Sequence, residues 1–197
     1  ALCRVTGCAL LIQHISCAGT VELIHDAQRE GLPVTGEATP HHLLLSCDDI
    51  PDDDANWKMA PPLGSREDVA ALILATDHAP HPAARKAGGF RTGANGIVGL
   101  ETAAAITWQV LVVEEGMAPA DWMARWTTGP AALLGEKTAD PAANFTVLDL
   151  HAGKTVDPAT FNTRSTNQPF TGMRFDAWPV LTVFNGRITW NGQNVLR

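Results

Sequence analysis

The fold class is predicted chiefly from residues 9–38, ALLIQHISCAGTVELIHDAQREGLPVTGEA. Residues 9–15 form an almost continuous apolar run, which is typical of a strand buried on both faces of a parallel sheet. Residues 19–30 carry apolar side chains at helical spacing, and Gly31 is placed to end that helix in a left-handed conformation. Residues 32–38 then predict a second strand. This order of strand, helix and strand predicts a parallel sheet with right-handed crossovers.

The same α/β alternation continues toward the middle of the chain. Residues 65–72 predict a helix and residues 73–77 another buried strand, with no turn between them. A helix-to-strand connection normally takes about two to six residues. We therefore expect that residues are missing between Leu72 and Ile73.

Helices and then strands are predicted in the second half. A long helix is predicted over residues 99–115, another helix begins at Pro119, and Gly129-Pro130 is expected to break the helical pattern. Asn185-Gly186 between apolar residues is a hairpin signal. The strands predicted around it are residues 144–150, 180–184 and 187–190.

Composition and charge exclude several classes of protein. The chain is 45% hydrophobic and 18% charged, which is ordinary for a soluble globular protein, and no apolar run has the length of a membrane span. Because no signal-peptide pattern opens the sequence and its four cysteines lack Cys-x-x-Cys spacing, we expect a cytoplasmic protein with reduced thiols. The net charge of -7 and the scattered basic residues argue against a nucleic-acid partner.

Polar side chains that can bind metal stand at or just beyond the ends of predicted strands. His14 follows the first strand, and Asp77, His78 and His81 follow a later one. Parallel α/β folds place active sites at these strand ends, and an imidazole together with a carboxylate suits a divalent transition metal. A core histidine bonded to backbone and a turn aspartate before proline are the structural alternatives for His14 and Asp77.

The adjacent pair His41-His42 is a weaker candidate. Neighbouring residues point to opposite faces of a strand and lie about 100° apart on a helix, so both rings cannot easily bind one ion. We assign the pair a structural or supporting role.

Several motifs occur in the order and rough spacing seen in the dihydroorotases, and the chain most resembles their bacterial type I branch. The motifs are residues 14–24 (HISCAGTVELI), 31–35 (GLPVT), 37–45 (EATPHHLLL), 75–81 (ATDHAPH), 96–102 (GIVGLET), 155–158 (TVDP) and 167–170 (NQPF). The resemblance implies an α/β fold, with residues 1–134 as the C-terminal part of a (β/α)8 barrel (about strands six to eight). Residues 135–197 would form a small β module packed on that barrel.

The resemblance also implies an activity. Dihydroorotases catalyse the reversible cyclisation of N-carbamoyl-L-aspartate to L-dihydroorotate in de novo pyrimidine biosynthesis. By this likeness we expect a zinc-dependent hydrolase acting on cyclic amides, with two Zn²⁺ per complete active site. A homodimer is also expected, with no membrane partner.

Individual roles follow from the matched positions. His14 would bind the more buried metal, and Asp77 would bind the other metal and act as general base and general acid. His81 would hold the substrate carboxylate, while Asn95 and Gly96 would contact the pyrimidine ring. His41 and His42 match no metal ligand of the family.

Two departures from the family pattern affect the expected function. Ala60, within KMAPPL at residues 58–63, stands where relatives carry Asn or Arg that touches substrate, so we expect weaker affinity or an altered substrate preference. The remaining family ligands, a His-x-His pair, a bridging carboxylate and a further histidine, have no counterpart in the chain. Because a catalytic zinc site needs about three protein ligands, we predict that this polypeptide is inactive alone.

Two other functions stay open at this stage. Another cyclic amidohydrolase, such as a hydantoinase or allantoinase, is the alternative within enzymes. A non-catalytic dihydroorotase-like subunit that scaffolds aspartate transcarbamoylase is the alternative outside them, although such proteins tend to lose metal ligands, whereas His14 and Asp77 persist.

Overall fold

The computed structural model describes residues 1–65 and 73–192. The chain divides into two compact units, one formed by Ala1–Ala103 with Pro158–Phe170 and the other by Ala104–Asp157 with Thr171–Arg197. The domain boundary predicted after residue 134 was placed where helices give way to strands, whereas these two units are defined by contacts between residues. The boundary after residue 134 therefore stays a prediction. The helix predicted over residues 65–72, apart from Ser65, and the suspected gap after Leu72 lie outside the described residues.

The first unit is built on a parallel sheet with the order β1-β2-β3. Leu10 pairs with Val34, and Glu37 pairs with Ile73, so β2 lies between the other two strands. These strands are β1 (Leu10–Ile12), β2 (Val34–Ala38) and β3 (Ile73–Leu74). The helices of this unit are α1 (Leu2–Thr6), α2 (Ala18–Arg29), α3 (Pro40–Leu44), α4 (Ala83–Lys86) and α5 (Gly89–Thr92), with short 3-10 turns at Cys47–Asp49, Ala55–Trp57 and Pro158–Thr160.

The predicted strand, helix, strand order of the opening stretch is present. Helix α2 buries Val21 and Ile24 in one cluster with Ile15 and Val34, so its apolar face covers the sheet. The helix stops where Gly31 adopts a φ of 77°, a left-handed conformation that glycine takes without steric cost. A local sequence signal therefore sets the end of this helix, the unit's longest among the described residues.

The second unit combines helices with antiparallel strands. Its helices are α6 (Ala103–Thr107, beginning at the last residue of the first unit's main segment), a π-helical continuation (Trp108–Glu114), α7 (Pro119–Trp126) and α8 (Thr128–Leu134). Its strands are β4 (Phe145–Asp149), β5 (Lys154–Thr155), β6 (Arg174–Phe175), β7 (Trp178–Phe184) and β8 (Arg187–Asn191). Strands β4, β7 and β8 form one sheet, and β5 pairs with β6. Asn185 and Gly186 connect β7 to β8 with φ of 48° and 72°, the geometry expected of an Asn-Gly hairpin.

Two helix predictions in this region were wrong in detail. Gly129-Pro130 does not end a helix but lies in the first turn of α8, where a missing N–H costs little because that N–H has no partner inside the helix. The long helix predicted from residue 99 begins instead at Ala103. The amides of Gly99 and Leu100, just before it, donate to the Nδ1 atom of His78 at 3.3 and 3.2 Å. Within the described residues, no helix is long and apolar enough to span a membrane.

Candidate functional site

The candidate residues gather at one edge of the parallel sheet. His14 follows β1 and Asp77 follows β3, on either side of the central strand β2. Because neighbouring parallel strands end at the same edge, the loops that carry these two residues share one rim. The imidazole and the carboxylate are therefore brought to the same side of the sheet.

The backbone at both positions is unusual. His14 has a φ of 39° and Asp77 a φ of 43°, in the left-handed region that residues with a Cβ rarely adopt. Such conformations cost free energy and persist only where the surrounding structure enforces them, which is frequent at functional sites. Both residues that the sequence predicts as metal ligands therefore have a strained backbone.

Glu37, near the end of β2, links these two positions. Its carboxylate hydrogen bonds with the backbone of His14, and the charges of His14 and Asp77 both act on it. Burial raises the pKa of Glu37, with the nearby Asp77 carboxylate adding to the rise and His14 opposing it. The sequence analysis did not single out Glu37, although a carboxylate within a buried strand was an available signal.

The two adjacent histidines of α3 lie beneath this rim. The Nδ1 atom of His42 is 2.7 Å from the Thr39 hydroxyl, and its Nε2 atom is 3.0 Å from the Pro61 carbonyl oxygen. His42 thus ties α3 to the segment that carries Ala60. Burial is the main cause that lowers the pKa of His42, so the neutral ring is favoured.

His41 is the more deeply buried of the pair, at 1% exposure. Neither of its ring nitrogens has a hydrogen-bond partner within the described parts of the chain. Burial, reinforced by His42 and then His14, lowers the pKa of His41 to about 3. The ring is therefore neutral at physiological pH.

The residues expected to contact substrate lie in adjoining loops. The Nε2 atom of His81 is 2.7 Å from the Asn95 carbonyl oxygen, and since that oxygen can only accept, Nε2 carries the proton. Gly96 has a φ of 127°, and a Cβ on it would lie 2.7 Å from the Cβ of Ala79 and 3.0 Å from Nε2 of His81. Only glycine fits there, both for its backbone conformation and for this close approach.

Ala60 is exposed and belongs to a segment that is fastened to the same loops. The amide of Gly96 donates to the carbonyl oxygen of Lys58 at 3.0 Å. The Lys86 ammonium, which is buried, donates to the carbonyl oxygens of Ala55, Lys58 and Ala94 at 2.7, 3.3 and 2.9 Å. The structure thus brings the segment of Ala60 beside Asn95 and Gly96, and it does so through a lysine that the sequence analysis missed.

A cavity of about 330 Å³ opens beside His81. It is lined by polar and charged side chains from distant parts of the first unit, among them Asn56, Lys86, Arg164 and Asn167. Asn167 was noted only as part of a family motif, and its side chain bonds to the loops of His81 and Gly96.

The described residues include two side chains of the kinds that bind metal ions. His14 and Asp77 offer the donor types that a divalent transition metal takes, on one rim and with both charges reaching Glu37. Across residues 1–65 and 73–192, however, no three His, Cys, Asp or Glu side chains are placed to hold an ion together. The two residues fit as ligands but need partners that these segments do not provide.

Comparison with known proteins gives a consistent answer. No protein-family profile matches the sequence. Dihydroorotases of Geobacillus sp. (strain WCH70) and Geobacillus thermodenitrificans (strain NG80-2) are 41% and 42% identical to the chain, each over 96% of its length. The resemblance to the dihydroorotases is thereby confirmed. The chain corresponds to their C-terminal part and spans about half their length, 48% and 47% of these two dihydroorotases.

Solved structures agree on the fold. An L-hydantoinase (dihydropyrimidinase) from Arthrobacter aurescens superposes with a TM-score of 0.89 at 30% identity, covering 100% of this chain and 48% of that one. An inactive dihydroorotase-like domain of the Chaetomium thermophilum CAD-like multifunctional protein has a TM-score of 0.73 at 18% identity, over 97% of this chain and 54% of that one, and shows the fold alone. The predicted fold class, the C-terminal part of a (β/α)8 barrel followed by a small β module, is confirmed.

Proposed function

We propose that this chain is the catalytic C-terminal half of a dihydroorotase, which interconverts N-carbamoyl-L-aspartate and L-dihydroorotate. The observation that carries the proposal is that His14 and Asp77, both with left-handed backbone, follow strands on either side of β2 in a chain about 40% identical to dihydroorotases. A zinc pair, a homodimer, a cytoplasmic location and a place in pyrimidine synthesis belong to the same proposal.

Asp77 is the proposed proton carrier. Its carboxylate takes a proton from the attacking water when the ring opens, and returns it to the leaving nitrogen. Bound metal ions would make that water more acidic and polarise the ring carbonyl. His14 and Asp77 would each hold one ion, while Glu37 keeps His14 in place through the hydrogen bond with its backbone.

His81 is the proposed anchor for the substrate carboxylate. Because its Nε2 proton is used on the Asn95 carbonyl oxygen, only Nδ1 is left to face the substrate. Nδ1 donates a hydrogen bond only in the doubly protonated ring, so the carboxylate would bind the imidazolium form. Gly96 and Asn95 would place backbone atoms against the pyrimidine ring, and Ala60 would leave one substrate group without a partner.

The test uses a fusion of this chain to the upstream half of the Geobacillus thermodenitrificans dihydroorotase, loaded with zinc. We expect ring opening of dihydroorotate, and Asp77→Asn should lower kcat by at least about 100-fold because the proton carrier is lost. Exposed Asp52→Asn is the matched control and should keep full turnover. Near-normal turnover of the Asp77→Asn fusion would reject this role for Asp77.

The same fusion separates the competing functions. Faster turnover of hydantoin or allantoin than of dihydroorotate would indicate another cyclic amidohydrolase. A correctly folded fusion that binds zinc but opens none of these rings would favour the non-catalytic subunit. The higher identity of the dihydroorotases, 41% against 30% for the L-hydantoinase, supports dihydroorotate as the substrate.

A further inference from the structure

Asn167 occupies a position that its place in the sequence does not suggest. Its side chain is buried at 3% exposure. Its Oδ1 atom accepts a hydrogen bond from the His81 amide at 2.9 Å, and its Nδ2 atom donates to the carbonyl oxygens of Ala79 and Gly96 at 3.1 and 3.0 Å. The side-chain amide therefore uses its acceptor oxygen and both donor hydrogens on two loops.

These loops carry the residues assigned above to substrate. One contains Asp77 and His81, and the other contains Asn95 and Gly96. The backbone of Asn167 adds another bond, because its carbonyl oxygen accepts from the Val98 amide at 2.9 Å. All four contacts come from Pro158–Phe170, a segment that follows the first strands of the β module in sequence yet belongs to the first unit.

We infer that Asn167 is a positioning residue that holds the His81 loop and the Gly96 loop at a fixed separation for substrate binding. The inference deepens the proposed function and rests on it. Asn167 need not touch substrate, since it acts on the backbone of residues 79, 81 and 96. It sets the separation between the imidazole that would bind the carboxylate and the backbone that would contact the ring.

The chemistry of the side chain explains why an amide is needed. Aspartate of the same size keeps the acceptor for the His81 amide but turns an oxygen toward the carbonyl oxygens of Ala79 and Gly96, which then repel it. Leucine fills the space and leaves all three backbone groups without a partner in a buried place. Each change loosens the loops through a different set of bonds.

The first measurement compares steady-state kinetics of the zinc-loaded fusion and its Asn167→Asp and Asn167→Leu variants on dihydroorotate. Misplaced substrate contacts should raise KM about tenfold or more, by a larger factor than kcat falls. The matched control is Asn162→Leu, an exposed residue of the same segment, which should behave as the parent. Variants that lose kcat with KM unchanged would show a smaller folded fraction only, and would overturn the inference.

The second measurement is amide hydrogen exchange on the same proteins. In Asn167→Leu, peptides containing His81 should exchange at least about tenfold faster, because the amide has lost its acceptor. The amide of Ile15, which bonds to the Glu37 carbonyl oxygen at 2.9 Å, should keep its rate. Unchanged exchange at His81 would overturn the inference.

The two measurements test the inference and the proposed function separately. A parent fusion that opens no dihydroorotate counts against the proposed function. The exchange rates at His81 still decide whether Asn167 holds the two loops. An active parent with normal KM in both Asn167 variants counts against the inference alone.

Discussion

Single residues at the rim owe their properties to neighbours that are distant in sequence. His14 and Asp77 hold left-handed backbone conformations after two different strands, and the charges of both act on Glu37 of the strand between them. Ala60 has no polar atom to offer at the position where the family resemblance implies Asn or Arg. Its exposed position leaves room for a larger side chain.

Restoring the amide at residue 60 should strengthen substrate binding. In the zinc-loaded fusion, Ala60→Asn should lower KM for dihydroorotate by about 5- to 160-fold, since pairing a buried polar group contributes about 1–3 kcal/mol. Ala60→Leu has similar bulk without polar atoms and should give no gain. An unchanged KM for Ala60→Asn would show that residue 60 does not contact substrate.

Because His41 is buried as a neutral ring, we expect the free energy of unfolding to fall in acid. Its pKa is about 3 in the folded chain against 6.5 unfolded, so the unfolded state binds more protons between these values. The part of the free energy of unfolding that depends on the neutral His41 ring is fully present above pH 6.5 and is lost as pH falls toward 3. About 2 kcal/mol of it is lost between pH 7 and pH 5. Burial lowers the pKa of His42 as well, which acts in the same direction.

Urea unfolding at pH 7 and pH 5 measures this effect. His41→Phe removes the titrating ring while keeping an aromatic side chain, so its free energy of unfolding should change less with pH than that of the parent. The exposed variant His151→Phe is the control and should keep the parental pH dependence. Equal pH dependence in His41→Phe and the parent would mean that His41 is not the source.

Short elements and loops of the first unit are held together by buried polar side chains. Helix α4 contributes Lys86, whose ammonium bonds to three carbonyl oxygens of two other segments. Burial lowers the pKa of Lys86 to about 8, while Asp54 acts against this fall and Lys58 adds to it. The lysine thus fastens the segment of Ala60 to the loop of Asn95 instead of reaching into solvent.

Removing the ammonium should loosen this connection. Lys86→Met keeps most of the aliphatic stem but leaves three carbonyl oxygens without their donor, so the free energy of unfolding should fall by about 2–3 kcal/mol. Arg85→Met, on the exposed face of the same helix, should change stability by less than about 0.5 kcal/mol. Equal stability of the two variants in urea unfolding would contradict a fastening role for Lys86.

The molecule as a whole offers part of the active site that we propose. Its parallel sheet brings together two residues with ligand chemistry, while the relatives that it matches are about twice as long. A catalytic zinc site needs about three protein ligands, and the described residues place no group of three. Activity is therefore a property that we expect from the chain together with the missing ligands.

This expectation can be measured directly. The chain alone, supplied with stoichiometric zinc, should open no dihydroorotate above background, while the fusion to the upstream half should do so. The fusion carrying His14→Ala should bind less zinc by metal analysis than its parent, because one ligand is absent. Ring opening by the chain alone would show that its own residues complete the site.

Three features could be predicted from the amino-acid sequence alone: the alternation of strand and helix around residues 9–38, the Asn185-Gly186 hairpin and the similarity to dihydroorotases. These features depend on side-chain periodicity, on turn chemistry and on the order of motifs, all of which can be recognised in short stretches of sequence. The tertiary structure was needed to show that Pro130 lies inside a helix and that the helix expected from residue 99 begins later. It was also needed to show that Glu37, Lys86 and Asn167 bond to the segments of the candidate site. Those outcomes depend on hydrogen bonds and burial between residues far apart in sequence, which no local pattern contains.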